Sequence, residues 1–397
     1  MNILFIGSIY SDNQKEFFLK NSKKGYQFAS QNLQESLIEG FIDNFIDITV
    51  LTKASLSTFP QGFKTPYVKG GDYVFKGHKL GKCVSFVNLP FFNRGSRKCY
   101  NQFIENWYNS HEGPKWIFLY ALHSFNMQMC VDAKNKFPDL KISVIVPDLP
   151  KYMGVNKWYK MLGLQERDIR CIYRLIKEFD VYVPLALPMM KDLGVEDKPN
   201  IVMEGIFSPE KSSHVDKLAK KTILYTGKAT PRYGLSKLVE AFKKIEGEDY
   251  QLLIRGNGMS DELISLISTD NRIKNIPAMP KEELLKLEQS STLLVNPVPY
   301  SEEFTKYFFP SKTMDYLASG TPTLMYELDC LPLEYKEHLV LLKDESIEAL
   351  RDKIVEVCNW SSDYSREKGE KAREFILTQK NAKCQVRKII DLLESFK

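Results

Sequence analysis

The sequence predicts an α/β protein made of two doubly wound domains. Three observations carry this expectation. The chain has 397 residues, more than a single hydrophobic core organises, so two domains are the default. Short apolar runs rich in Ile, Val, Leu and Phe alternate with longer amphipathic stretches, which is the pattern of parallel strands buried on both faces and covered by helices. That alternation occurs twice, before and after a polar stretch at 205–219.

In the first half the expected strands are 2–6, 46–51, 84–87, 116–119, 142–146 and 181–184, with a helix over 27–41 opened by Ser30 and closed near Gly40. In the second half they are 222–225, 250–254, 273–276, 292–296 and 323–326. The helices expected between them are 234–244, 260–267, 281–289 and 311–318. Strand following helix following strand makes each half a Rossmann-like unit. The expected domains are 1–204 and 220–379, joined by the linker 205–219, with one or two helices over 366–396.

Composition narrows the class. The chain is 43% hydrophobic and 26% charged, ordinary values for a globular protein. No run of 18 apolar residues exists, so no membrane-spanning helix is expected. The start, Met-Asn-Ile-Leu-Phe-Ile-Gly, reads as a first strand and not as a signal peptide. Seven scattered cysteines without a C-x-x-C pair argue against a disulfide framework or a zinc cluster and for a reducing cytoplasm. Residues 51–100 hold nine basic groups against the single carboxylate Asp72, and aromatic residues stand among them, as in 91–94 and 97–100. Such a face suits either bulk solvent or an anionic membrane surface, where each cation adds about 1 kcal/mol. No nucleic-acid motif accompanies the charge, so no nucleic-acid partner is expected.

Ligands of an open parallel sheet bind beyond the carboxyl ends of its strands, so the loops there hold the candidate site residues. After 222–225 comes Thr226-Gly227-Lys228-Ala229-Thr230-Pro231-Arg232-Tyr233-Gly234. Gly227 lets backbone approach a ligand, and Lys228 and Arg232 set two cations beside a helix N-terminus. That combination suits a diphosphate; the alternative is a surface loop with two solvated cations. Phe309-Pro310-Ser311-Lys312-Thr313-Met314-Asp315 opens a second helix. Ser311, Lys312 and the first N–H groups form an anion site there. Asp315, one turn on, can accept two hydrogen bonds from a ribose diol, or is simply a surface carboxylate. In the first half, His123 follows the 116–119 strand and can bond a sugar hydroxyl or serve the fold. Asp148 follows 142–146 and reads as a turn former or an acceptor contact. Gly7 and Ser8, after the first strand, leave room for a ligand to approach. The Gly256–Gly258 pair lacks the G-x-G-x-x-G spacing, so no nicotinamide cofactor is expected.

Taken together, these segments resemble the family-4 retaining glycosyltransferases of the GT-B fold, in particular bacterial enzymes that build exopolysaccharide or capsule repeats on a lipid carrier. The resemblance rests on 223–234, 253–258 and 309–322, in that order and spacing, across about 100 residues. It implies two Rossmann-like domains facing a cleft and a nucleotide-diphosphate sugar, UDP-sugar by preference, as donor. Lys228 and Arg232 then match the cation pair on the diphosphate, and Asp315 the ribose-binding acid. Ser311 and Lys312 sit at the phosphates, and His123 touches the donor sugar. Gly227, Gly256, Met279, Tyr307, Phe309 and Pro310 complete the donor side, with Gly7, Ser8, Asp148 and Glu303 on the acceptor side or in the cleft. The family pattern of two glutamates eight positions apart is broken, because Tyr307 stands eight residues before Asp315 and Glu303 four residues further back. No D-x-D motif occupies a strand end, so no metal is expected and no other cofactor. The C-terminal helix, about 380–397, is expected to pack back on the first domain. The implied partners are a nucleotide sugar, a lipid-linked or glycan acceptor and an anionic membrane surface. Two other readings share this scaffold, a non-catalytic subunit supporting a partner enzyme and a sugar-nucleotide epimerase.

Overall fold

The computed structural model describes residues 1–23, 28–89, 96–153, 160–208 and 215–396. Contacts divide the chain into two compact units, Met1–Ile206 with Ala382–Lys397, and Phe207–Asn381.

The first unit is a seven-stranded sheet in the order β4-β5-β2-β1-β7-β8-β9. Its strands are β1 (Asn2–Gly7), β2 (Asp47–Thr52), β4 (Gly71–Phe75), β5 (His78–Cys83), β7 (Lys115–Tyr120), β8 (Lys141–Val146) and β9 (Val181–Pro184). All neighbours pair in parallel except β4 with β5. Ile3, Leu4, Phe5 and Ile6 of β1 are fully buried, as a central strand covered on both faces requires. The helices are α1 (Lys15–Asn21), α2 (Phe28–Asp43), α3 (Arg97–Ser110), α4 (Ser124–Lys136), α5 (Leu164–Leu175) and α6 (Pro188–Asp192).

Two local expectations are corrected here. Of 84–87, only Phe86–Val87 forms a strand, β6, and it pairs antiparallel with β3 (Tyr67–Val68) in a separate two-stranded ribbon. The strand beside β2 is instead β5, whose polar sequence conceals it. It returns from β4 through Lys76 (φ 49°) and Gly77 (φ 81°), a two-residue turn with both central residues left-handed. Ser30 is not a cap but lies inside α2, where its hydroxyl meets the Tyr120 hydroxyl at 3.3 Å and accepts from Gln34 Nε2 at 3.1 Å.

The second unit is a six-stranded, wholly parallel sheet in the order β12-β11-β10-β13-β14-β15. Its strands are β10 (Lys221–Lys228), β11 (Tyr250–Asn257), β12 (Ile273–Asn275), β13 (Leu293–Asn296), β14 (Thr323–Tyr326) and β15 (Val340–Leu342). Its helices are α7 (Leu235–Lys243), α8 (Asp261–Ser268), α9 (Lys281–Ser290), α10 (Lys312–Ser319), α11 (Ile347–Cys358) and α12 (Ser362–Gln379). Strand order reverses between β10 and β13, which makes the loops after these two strands the topological switch point. The same reversal occurs between β1 and β7 in the first unit. The polar stretch 205–219 splits at the unit boundary. Phe207 N–H donates to Lys380 O at 2.8 Å, while Lys217 Nζ donates to Gln289 O (2.8 Å), Ser291 O (2.6 Å) and Thr321 Oγ1 (3.0 Å). Residues 209–214 lie outside the described residues.

The last helix, α13 (Ala382–Ser395), belongs to the first unit and packs on α2. Val386, Ile389, Ile390 and Leu393 of α13 enter the same core as Leu37, Ile38 and Phe41 of α2. Gly40 makes this possible. A Cβ there would lie 2.4 Å from Val386 Cγ2 and 2.5 Å from Ala382 O. Gly40 therefore does not close α2, which continues to Asp43; it admits α13.

Candidate active site

At the switch point of the second unit, Gly227 and Gly256 stand side by side at the ends of β10 and β11. A Cβ on Gly256 would lie 2.7 Å from Ala229 Cβ, and one on Gly227 3.3 Å from the Tyr225 hydroxyl. Both residues leave bare backbone at the strand ends. Met259, and not Met279, brings its methyl to 3.5 Å from that Gly256 position; Met279 lies half-buried in the loop before α9. Gly234 adopts φ 75° at the start of α7, and a Cβ there would strike Pro297 O at 1.9 Å. The loop after β10 is thereby held against the loop after β13.

The two cations differ in restraint. Lys228 is exposed at the end of β10, with no ion-pair partner among the described residues. Arg232 Nε lies 3.5 Å from Glu302 Oε2, and its guanidinium carbon 4.0 Å from the centre of the Phe304 ring. Glu302 and Phe304 belong to the loop after β13, so that loop aims Arg232. The acid that engages this cation is Glu302; Glu303 is exposed and begins a short 3-10 helix, Glu303–Lys306. Ser301 fixes the loop further, donating to Glu345 through its N–H (3.0 Å) and its hydroxyl (2.9 Å).

At α10 the expectation is trimmed. Thr313 N–H and Met314 N–H already donate to Pro310 O (2.8 Å) and Ser311 O (3.1 Å). The N–H groups of Ser311 and Lys312 remain without an intramolecular acceptor among the described residues. Phe309 and Pro310 are not surface residues at this helix start. Both are buried, with Phe309 against Tyr335 (ring centres 5.1 Å apart) in a core with Leu317 and Phe375. Tyr307 is half-buried and ends the 3-10 helix, its N–H donating to Phe304 O at 3.1 Å. Asp315 Oδ2 lies 3.6 Å from Lys312 Nζ. Both line a cavity with Lys281 and Glu288 of α9 and Arg373 of α12.

The switch point of the first unit gathers other groups. His123 is half-buried at the start of α4. Burial holds its imidazole below the ordinary value, and the Lys53 cation adds to this against the opposite pull of Asp168. The neutral ring can hydrogen-bond a hydroxyl. Ala121, at the end of β7, has φ 67°, a left-handed conformation that is uncommon outside glycine and that recurs at functional edges. Asp148 is exposed, and its carboxylate accepts no hydrogen bond among the described residues, so it forms no side-chain turn. Gly7 and Ser8 are corrected. The space left by the missing Cβ of Gly7 holds Gln34 Oε1, at 2.9 Å from the Cβ position. The same amide oxygen accepts from Ser8 N–H at 2.8 Å. That strand end is closed by α2 and is not open to a ligand.

Residues 207–375 match the family model "Glycosyl transferases group 1". The chain carries a glycosyltransferase domain. The matched segment begins at the boundary of the second unit and carries Lys228, Arg232, Lys312 and Asp315. No curated protein sequence matches the chain. Among solved structures, the glycosyltransferase is similar to Anabaena HepE in complex with UDP, with 12% identity, 100% of both chains covered and a TM-score of 0.61. It is similar to sucrose-phosphate synthase from Thermosynechococcus elongatus at 13% identity, covering 99% of this chain and 98% of that one, TM-score 0.60. An E. coli trehalose-6-phosphate structure bound with UDP-2-fluoro glucose gives 7% identity, 100% of both chains and a TM-score of 0.59. These likenesses show the fold, which is GT-B, with two Rossmann-like domains.

Within this glycosyltransferase Glu288 was not anticipated from the sequence. It is 3% exposed. Burial pushes its carboxyl up to about 7; the Lys312 and Lys281 cations and the Thr226 hydroxyl pull it down, and Asp315 pushes it up. Arg373 faces the same cavity. An acid whose folded pKa exceeds its unfolded one keeps its proton longer in the native state. Its contribution to stability is therefore whole below about pH 4.5 and is lost as pH rises to about 7. The loss is on the order of 3 kcal/mol at most. Glu288→Gln is expected to raise the free energy of unfolding at pH 8 by 1 kcal/mol or more relative to its effect at pH 5. Urea unfolding at both pH values measures this, and equal effects at both would refute the buried, protonated carboxyl.

Proposed function

We propose that this glycosyltransferase moves a sugar from a nucleoside diphosphate, UDP by preference, to a lipid-linked saccharide at the membrane surface during surface polysaccharide synthesis, with retention at C1 and without a metal. The observation that carries the donor reading is the loop Gly227–Gly234. Bare backbone, Lys228 and a braced Arg232 converge there at the switch point of a parallel sheet, where anions bind. When the bond between C1 and the β-phosphate oxygen breaks, its electron pair stays on that oxygen. Lys228, Arg232 and the N–H groups of Ser311 and Lys312 stabilise the added charge. The acceptor oxygen forms the new bond to C1, and its proton passes to the departing phosphate. Asp315 accepts from the ribose, and His123, neutral, bonds a hydroxyl of the sugar. The company of HepE with UDP and of a UDP-2-fluoro glucose complex supports the choice of base.

A thermal-shift panel of UDP-, GDP- and ADP-sugars tests the donor. A ligand at 100 times its Kd adds about 2.7 kcal/mol, about 5–10 °C for a unit of this size. No shift with any of the three would end the reading.

The membrane part rests on the basic stretch 51–100. Residues 91–94 lie outside the described residues. Among the others, Lys79 pairs with Asp72 (2.9 Å), Arg97 with Asp132 (2.6 Å), and Lys76 with Glu39. Tyr67 (53% exposed) and Val87 (43%) remain on the surface of the β3–β6 ribbon, near Lys64 and Lys69 in sequence. Among the described residues no helix is long and apolar enough to cross a membrane, so the proposed attachment is peripheral, on the cytoplasmic face. Co-sedimentation with vesicles containing phosphatidylserine should fall as salt rises from 50 to 500 mM, roughly from a 14 Å to a 4 Å screening length. Binding equal on neutral vesicles would remove this part.

A further inference from the structure

The cavity between α9, α10 and α12 contains a carboxyl that the donor reading leaves idle. Glu288 is nine-tenths buried and more, and its Oε1 has no hydrogen-bond partner among the described residues. A buried acceptor left unpaired is unfavourable, so a ligand that supplies a donor gains by it. The position is firmly set. Thr321 Oγ1 donates to Glu288 O at 2.8 Å, and the Lys217 ammonium holds the next carbonyl, Gln289 O, at 2.8 Å. Beneath it the Tyr316 hydroxyl is fixed on Thr226, accepting from its N–H at 2.8 Å.

Asp315 lines the same cavity from α10, so two carboxyls from separate helices share one space. Lys281, Lys312 and Arg373 surround them, and Leu285 and Leu377 supply apolar wall. A matching ligand therefore brings hydroxyl donors for the carboxyls, negative charge for the cations, and a flat apolar part. Inorganic phosphate alone offers the charge but meets two acids.

We propose that Glu288 is a specificity-determining residue of the donor site, where together with Asp315 it accepts hydrogen bonds from the cis-diol of the ribose of a nucleoside diphosphate. This rests on the donor reading above and adds to it a residue from a different element. Glu288 then distinguishes a ribonucleotide from a deoxyribonucleotide.

The experiment is calorimetric titration of the whole chain at pH 8 with UDP, 2′-deoxy-UDP and 3′-deoxy-UDP. Wild type, Glu288→Gln and Glu288→Asp are compared, and their melting temperatures are measured alongside. Wild type is expected to prefer UDP to at least one deoxy analogue by tenfold or more. Glu288→Gln should lose tenfold in UDP affinity and most of that preference, while melting no lower than wild type. A residue of purely structural importance would not separate binding from stability in this way. Wild type that binds UDP, with Glu288→Gln matching its affinity and its preference within twofold, overturns the role of Glu288 and leaves the donor reading intact. Should the Gln variant not fold, Glu288→Asp with wild-type affinity and preference overturns it equally. Wild type that binds no UDP at all, at concentrations up to the millimolar range, removes both.

Discussion

Replacing Lys228 or Arg232 by alanine is expected to lower kcat/KM at least tenfold in each case, and the pair together more than a hundredfold, with little change in melting temperature. Each tenfold step is about 1.4 kcal/mol of transition-state stabilisation. The stability should hold because Lys228 is exposed and the Arg232 side chain is 55% exposed, with a surface ion pair and the contact with the Phe304 ring to lose. In the proposed function the cations act on charge that appears as the bond to the departing phosphate breaks, so kcat should fall with kcat/KM. Loss confined to KM would instead make them ground-state binders. The donor selected by the thermal-shift panel serves as substrate. Near wild-type rates in both single variants would remove the diphosphate assignment. Phe304→Ala should give a smaller loss of the same kind, since the ring under the guanidinium aims Arg232.

The second large effect lies far from the chemistry. Gly40→Val is expected to destabilise the first unit by about 3 kcal/mol or more, because the new side chain collides with a backbone carbonyl and not only with a movable methyl. The Cβ alone would lie 2.5 Å from Ala382 O, so α13 has to shift, and Val386, Ile389, Ile390 and Leu393 shift with it. A fall of about 6–12 °C in the melting temperature of that unit follows. Gly71→Ala provides the control, since a Cβ there meets nothing within 4 Å; it should cost less than 1 kcal/mol. Equal melting of the two variants would mean that α13 does not depend on Gly40.

What the sequence made legible follows from burial. Val181–Pro184 and Thr323–Tyr326 are buried on both faces, and their bounds are those read from the residues. The place of Gly227, Lys228 and Arg232 at and just beyond the carboxyl end of a strand was legible, because they directly follow a buried apolar run. The β4–β5 hairpin was not, because β5 (His78–Cys83) shows mostly polar side chains to its surroundings and carries no apolar run. Phe309 was misassigned because proximity to a motif in sequence says nothing about direction, and its ring points into the core beneath α10. Glu302 and Glu303 are adjacent and identical in type, and only the three-dimensional turn decides which of them meets Arg232. Glu288 carried no signal at all, because an acid in the amphipathic helix 281–290 reads as a solvated face until its neighbours in space are known.

Placement of α13 in the first unit has a consequence for how the protein is made. The ribosome delivers β1, α2 and the rest of the first sheet, and then all of Phe207–Asn381, before α13 emerges. At about 5–20 residues per second the first sheet waits roughly ten to thirty-five seconds for its last helix. During that interval Leu37, Ile38 and Phe41 lack the aliphatic side chains that finally cover them. The nascent first unit thus carries an uncovered apolar strip until α13 emerges.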